Sequence, residues 1–315
     1  IGRLQFAWNE VSYRIGASMG LTIVGREPLR PNELMDQADI ACYRAKAAGR
    51  NQIAIYGDDD GTTLQHRETR IATSIRSAIE AGRFRLFAQQ VLDLRAGKRA
   101  RHFEILLRML NDEGGIVEPA VFIPASERYD LMGTLDRWVV RTALRTYGPR
   151  LCAVEDLSIA INLSGNSISD PFFWPFLQEE LAASGLAPER LHLEIADATI
   201  INNLSAARRF VPSVRAAGCC VVLDDFGTGT SPFTYLRQFP VDGLKIDGRL
   251  IGEVAGSEID RAIVESINTI GHRLRAITIA EQVEDEATLS LVRAMGIDQA
   301  QGFAIARPER LDNLL

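Results

Sequence analysis

From Arg83 to the end of the chain, short apolar runs rich in branched residues recur eight times. They are "RFRLFAQQVLDL", "ARHFEILLRM", "LSIAINLS", "LHLEIAD", "CCVVLDDFG", "GLKIDG", "AITIAEQVE" and "QAQGFAI". Longer stretches with helical periodicity fall between most of them, among them "AVFIPASERYDLMGTLDRWVVRTALRTYG", "PFFWPFLQEELAASG" and "SEIDRAIVESINTIGHRLR". A strand followed by a crossover helix, repeated to this number, predicts a (β/α)8 barrel of the TIM type. The first two strands are joined by the turn "DLRAGKR" with no room for a helix, so one strand is expected to run antiparallel.

Side chains alternate across a strand, so parity assigns each polar residue to a face. In "LHLEI", Leu191 and Leu193 share one face and Glu194 takes the other. In "LKID", Lys245 and Asp247 oppose Leu244 and Ile246, and in "AITIAEQVE" Glu281 continues the row of Ile277 and Ile279. Glu104, Asn162, Asp224, Asp225 and Gln301 also interrupt apolar runs. All are expected near the C-terminal ends of their strands, the face on which barrels of this type build active sites.

Asp224 and Asp225 are adjacent in "VVLDDFGTG". Neighbouring buried anions repel, and burial of even one is costly without compensation. On a regular strand they point apart. At the strand end, where the glycines turn the backbone, both can converge on cations. Oxygen ligands with one amide suit Mg²⁺, Mn²⁺ or Ca²⁺, and paired cations serve in-line phosphoryl displacement. Lys245 among these acids either orients a water and neutralises charge on phosphorus or forms a buried salt bridge to Asp247 or a neighbouring acid.

Composition excludes several classes. With 35 Lys and Arg against 41 Asp and Glu, the net charge is −6, which opposes non-specific nucleic-acid binding. Four scattered cysteines show no CxxC spacing and fit a reducing cytosol. The four histidines, His66, His102, His192 and His272, have no metal-ligand spacing. "GTG" at Gly227–Gly229 is too short for a dinucleotide fingerprint. No apolar run is long enough to span a bilayer. The chain starts at Ile1 and is read as a piece of a longer protein. This piece is expected in the cytoplasm, with sensory domains and any membrane anchor upstream.

Taken together, the motifs from Arg83 to Leu315 resemble the EAL domain family, phosphodiesterases of the bacterial messenger cyclic di-GMP. "FEILLRM" is similar to the naming motif, with Ile105 in place of Ala, and "INLS", "LHLEI", "DDFGTG", "LKID", "AEQVE" and "QGF" follow in the family's order. The resemblance implies hydrolysis to linear pGpG with two Mg²⁺ or Mn²⁺ ions, and inhibition by Ca²⁺. It implies Glu104, Asn162, Glu194 and Asp224 as ligands of one metal and Asp224 and Asp225, with Glu281, at the second. Lys245 would contact the attacking water. Asp225 and Glu281 join Lys245 as catalytic candidates, and Gln89, Arg108, Asp247, Gln301 and Phe303 as substrate contacts. A homodimer through this domain is also implied.

The sequence departs from the family at Gln90, at Thr230–Pro232, at Gln282, where Gly is common, and at Asp197, where Glu is usual. Asp197 is the expected support of the loop after Asp225, and its shorter side chain predicts a loose hold. These departures keep a rival reading open, a catalytically weak or inactive cyclic di-GMP receptor that signals to a partner. Residues 1–57 resemble the C-terminal part of a GGDEF domain through "GASMGLTIV" and "ADIACYRAKAAGRNQIAIY", without its signature motif. Residues 58–82 are read as a linker helix carrying Ile71, Ile75, Ala78 and Ile79 on one stripe, and 83–315 as the EAL domain.

Overall fold

The structure is a computed structural model. It describes residues 5–8, 11–14, 17–24, 34, 38, 41, 42, 45, 52–56 and 74–314, the last span without 96–100, 112, 228–232 and 239. His66, Ile71, Thr230 and Pro232 lie outside the described residues.

The chain divides into two units, Ile1–Ser74 and Ile75–Leu315. In the first, β1 (Gln5–Trp8) pairs antiparallel with β2 (Val11–Arg14). β3 (Met19–Leu21) pairs parallel with β4 (Ile53–Ile55). "VSYRIGASMGLTIV" therefore supplies two strands rather than one. A parallel pair needs a crossover, and helical residues with Ala41 and Ala45 buried lie between them.

In the second unit, residues 75–80 are helical, with Ile75 and Ala78 buried. Eight strands then close a barrel: β5 (Phe84–Asp93), β6 (Arg101–Leu110), β8 (Leu157–Asn162), β9 (Leu191–Ala196), β10 (Cys220–Phe226), β11 (Gly243–Ile246), β12 (Ile277–Ala280) and β13 (Gln299–Gln301). β5 is antiparallel to both its neighbours, β6 and β13, as the short turn predicts. Two short strands, β7 (Ile116–Val117) and β14 (Glu309–Arg310), flank β6 and β5.

Parity explains where the core sits. Ile159, Ile161, Leu193, Ile195, Val221, Leu223, Leu244 and Ile246 belong to one large buried cluster with helix residues such as Val140, Phe173, Leu177, Val214, Val264 and Val292. The opposite row contributes a separate small cluster of Val91, Val222 and Ile279. Helices thus cover the outside of the barrel, and the inward row is free to carry polar groups above those three residues.

Two expectations are corrected. The long helical stretch after "VEP" is broken: helices Pro119–Arg128 and Met132–Arg141 are separated by Tyr129–Leu131, with Asp130 at φ 55°. A left-handed residue there ends the first helix and redirects the second. Glu104 is not near the end of its strand. It is the fourth residue of ten in β6, which runs on past the parallel pairing with β8 and is flanked there by β5 and β7.

Gly302 shows how tightly the mouth is built. A Cβ at this position would lie 2.1–2.5 Å from backbone atoms of Val283. Val283 N–H donates to the Gln301 carbonyl at 2.9 Å, so the close approach sets the height of β13. Backbone atoms cannot rotate away. Gly302→Ala is expected to cost about 3 kcal/mol of stability in a urea melt. A cost below about 0.5 kcal/mol, the range of ordinary surface changes, would contradict this packing.

Candidate active site

Lys245 enters the barrel from β11 and is 1% exposed. Its ammonium lies 2.9 Å from Glu194, 2.9 Å from Glu281, 3.3 Å from Glu104 and 3.3 Å from Asp224. These acids come from β9, the end of β12, β6 and β10. Asp247 is not among its partners: Arg249 pairs with it at 2.6 Å. Burial works against the Lys245 charge, but the four carboxylates outweigh it and hold its pKa well above the usual lysine value.

The acids do not share this cation equally. Burial raises Glu104, but Lys245 and the amides of Gln301 and Asn162 bring it below its ordinary value. Asn162 donates to Glu104 Oε1 at 2.6 Å and Gln301 to Oε2 at 2.6 Å. Gln301 also donates to Gln89 Oε1 at 3.2 Å, and Gln89 donates to the Ala306 carbonyl at 2.9 Å. Glu194 lacks such amides. Burial, then repulsion from Glu104 and Asp224, pushes it well above the normal carboxylate range despite Lys245. Burial likewise pushes Glu281 up to about 8.

Asp224 and Asp225 do converge. The pairing of β10 with β11 shifts register between Leu223 and Phe226, and Asp225 is left-handed at φ 54°. A bulge of this kind re-aims side chains at strand ends. Ligand atoms of Asp224, Asp225 and Glu281 all lie within 4.8 Å of one another. Burial and the neighbouring Asp224 raise Asp225.

Five carboxyl groups thus gather around one ammonium. Fully ionised, they leave four negative charges uncompensated. Glu194 Oε1 and Gln301 Oε1 are buried and accept no hydrogen bond from a described residue. Raised carboxyls, orphaned oxygens and an all-oxygen donor set fit a hard divalent cation.

The other candidates sit around this centre or beside it. Arg108, on the extension of β6, lies over the Phe87 ring and 3.3 Å from Glu118. Phe303 is 50% exposed with the Arg307 guanidinium 4.4 Å from its ring centroid. Asp247 is buried and caps the helix Gly248–Glu253 by accepting from Arg249 N–H at 2.8 Å. Asp197 is buried at the start of the helix after β9, and the Tyr235 hydroxyl donates to its carboxylate. Tyr235 belongs to the 3-10 turn Phe233–Arg237, on the loop that follows the Asp pair. The long Tyr235 side chain thus brings this turn within hydrogen-bond reach of the short Asp197.

Sequence reading missed Arg249 and Tyr235. Arg249 had a weak signal, a cation two residues after a strand-end acid. Tyr235 had none, because its partner is 38 residues away. The rings of His102 and His192 lie with centroids 4.5 Å apart, tilted at 45°, and His102 is buried. His272 is near the surface beside Asp298 at 3.0 Å.

Residues 72–308 match the EAL domain family. The chain is 36% identical over 302 residues to the cyclic di-GMP phosphodiesterase PdeB of Shewanella oneidensis, covering 95% of this chain and 35% of PdeB. It is 31% identical over 312 residues to the bifunctional diguanylate cyclase/cyclic di-GMP phosphodiesterase MucR of Pseudomonas aeruginosa, covering 99% of this chain and 45% of MucR. The chain therefore spans between a third and a half of these relatives. The solved phosphodiesterase MucR in complex with c-di-GMP superposes with a TM-score of 0.72 at 30% identity, covering 78% of this chain and all of that one. The FimX EAL domain of Pseudomonas aeruginosa bound to c-di-GMP gives 0.71 at 27% identity, over 76% of this chain and 96% of that one. A (β/α)8 barrel with one reversed strand and an acid-ringed lysine at its mouth is thus joined to a match over most of its length: this chain belongs to the EAL domain family.

Proposed function

We propose that this domain hydrolyses cyclic di-GMP to linear pGpG with two divalent cations, Mg²⁺ or Mn²⁺. The observation that carries the reading is the cluster of five carboxyl groups around one ammonium: fully ionised, they leave four negative charges on oxygen, the charge that two divalent cations would balance. Glu104, Asn162, Glu194 and Asp224 would hold one, and Asp224, Asp225 and Glu281 the other. Bound there, the cations would polarise the phosphodiester and lower the pKa of a water. The c-di-GMP complexes of MucR and FimX support the choice of ligand.

The chain's own groups then do the rest. Lys245 orients the water and meets the charge that grows on phosphorus. Glu281 accepts the proton the water loses. One water is consumed and one P–O bond of the ring opens, so the product is linear. Gln89, Arg108, Asp247, Gln301 and Phe303 surround the mouth as substrate contacts, and an Arg beside phosphate is the expected partner. Asp197 and Tyr235 position the loop that follows Asp225. Upstream sensory domains and a homodimer through this domain belong to the same reading. Among the described residues, no helix is long and apolar enough to cross a membrane.

The direct test is conversion of cyclic di-GMP to pGpG by the purified chain, followed by chromatography. Activity is expected with Mg²⁺ or Mn²⁺, lost in EDTA and suppressed by Ca²⁺. Full activity in chelator would defeat the metal reading. Tight binding of cyclic di-GMP without any pGpG would select the receptor reading instead.

Lys245→Met separates catalysis from charge balance. Turnover is expected to fall by about two to three powers of ten. The metal-free variant is expected to melt lower than wild type, since its acids lose a buried cation, and Mg²⁺ is expected to restore much of the difference. Wild-type turnover in a folded variant would make Lys245 purely structural.

Tyr235→Phe deletes only the hydroxyl that reaches Asp197. The expected result is a several-fold lower kcat and a higher Mg²⁺ concentration for half-maximal rate, with the substrate Kd little changed. An unchanged kcat and Mg²⁺ requirement would show that this hydrogen bond does not position the loop.

A further inference from the structure

Two non-glycine residues at the mouth adopt left-handed backbone, Asp225 and Gln282. Asp225 belongs to the acid cluster. Gln282, at φ 51°, has no role in it. Such a conformation is costly for an ordinary side chain and persists only where neighbours enforce it. The neighbours here are plain. Glu281 N–H donates to the Ile246 carbonyl at 3.2 Å and Val283 N–H to the Gln301 carbonyl at 2.9 Å, so Gln282 is clamped between β11 and β13. Glycine would suit this backbone best, yet the chain places a long amide there.

The space for that amide is made elsewhere. A Cβ built on Gly248 would lie 2.6, 2.5 and 2.3 Å from Cβ, Cγ and Cδ of Gln282. The whole stem of Gln282 therefore lies on Gly248, and any larger residue at 248 would displace it. Gly248 directly follows Asp247, and Gln282 directly follows Glu281. Gln282 is exposed, and its amide makes no hydrogen bond to a described residue. A strained backbone and a side chain removed opposite it together hold one unused amide at the barrel mouth, between two site acids.

We propose that Gln282 is a substrate-contacting residue whose amide, laid over Gly248, hydrogen-bonds the purine edge of the cyclic dinucleotide. This rests on the reading of the domain as a cyclic di-GMP phosphodiesterase. The chemistry favours a base over a phosphate. An amide offers both a donor and an acceptor, a purine edge offers both in return, and a phosphate diester offers acceptors alone. The phosphate is the business of the acid cluster and Lys245, one residue further in.

Gln282→Met keeps the unbranched stem on Gly248 and removes the amide. Gln282→Gly removes both and relieves the backbone. Each is compared with wild type for cyclic di-GMP Kd, KM and kcat, for thermal stability, and for kcat/KM on bis(p-nitrophenyl) phosphate, a diester without a base. For Gln282→Met the expected result is a Kd and KM about three- to tenfold higher, with kcat within about twofold, an unchanged melting temperature and unchanged hydrolysis of the base-free diester. Gln282→Gly is expected to lose the same affinity without losing stability. Wild-type Kd in a stably folded Gln282→Met would overturn the proposal and leave the side chain a packing element. Equal losses on both substrates would also overturn it, by placing the amide on phosphate or metal. If wild type cleaves the simple diester but binds no cyclic di-GMP, the substrate reading itself falls, and this contact with it.

Discussion

A single buried ammonium holds the mouth of this barrel together. Lys245 is surrounded by Glu104, Glu194, Asp224 and Glu281, carried on four different strands or strand ends. Removed from this ring, a lysine so buried would lose its proton, and the acids without it would repel one another. A buried ion cluster of this kind is weak evidence for stability, because desolvation offsets much of the Coulomb gain. The barrel tolerates it because its apolar cohesion lies elsewhere, between the outer faces of the strands and the helices. The inward row is thereby available for chemistry.

The imbalance is as informative as the pairing. Glu104 stays acidic because two amides and Lys245 address it, whereas Glu194 and Glu281 are driven towards protonation. A purely structural cluster would be expected to close its own charge. This one leaves oxygens orphaned beside a bulge that turns two adjacent aspartates inward. The backbone strain at Asp225 and Gln282 falls at the same mouth, where strain is commonly retained for function.

Much of this was legible in the sequence because it depends on parity and order. Strand alternation set Glu194 and Lys245 opposite their aliphatic neighbours and Glu281 in the row of Ile277 and Ile279, the missing helix after the first strand gave the reversed β5, and the adjacent aspartates demanded a break in the strand. What was not legible depends on contacts distant in sequence. Glu104 looked terminal because the extension of β6 beside β5 and β7 has the same apolar pattern as the barrel-spanning part. The hydroxyl that reaches Asp197 belongs to Tyr235, 38 residues further along the chain. The match of Gln282 to Gly248 is invisible to periodicity, since it joins the ends of two neighbouring strands through one side chain and one absent Cβ. Asp130 ended a helix where composition alone predicted continuity.

A two-cation site among the acids around Lys245, completed by the nucleotide, can be counted directly. Mn²⁺ tests it without relying on turnover, because bound and free Mn²⁺ differ in their paramagnetic resonance spectra. A titration of the chain with Mn²⁺ in the presence of a non-hydrolysable cyclic di-GMP analogue is predicted to saturate at two ions per chain. Asp225→Asn is predicted to reduce this to one tightly held ion. No bound Mn²⁺, or a stoichiometry indifferent to both the nucleotide and Asp225, would contradict the account.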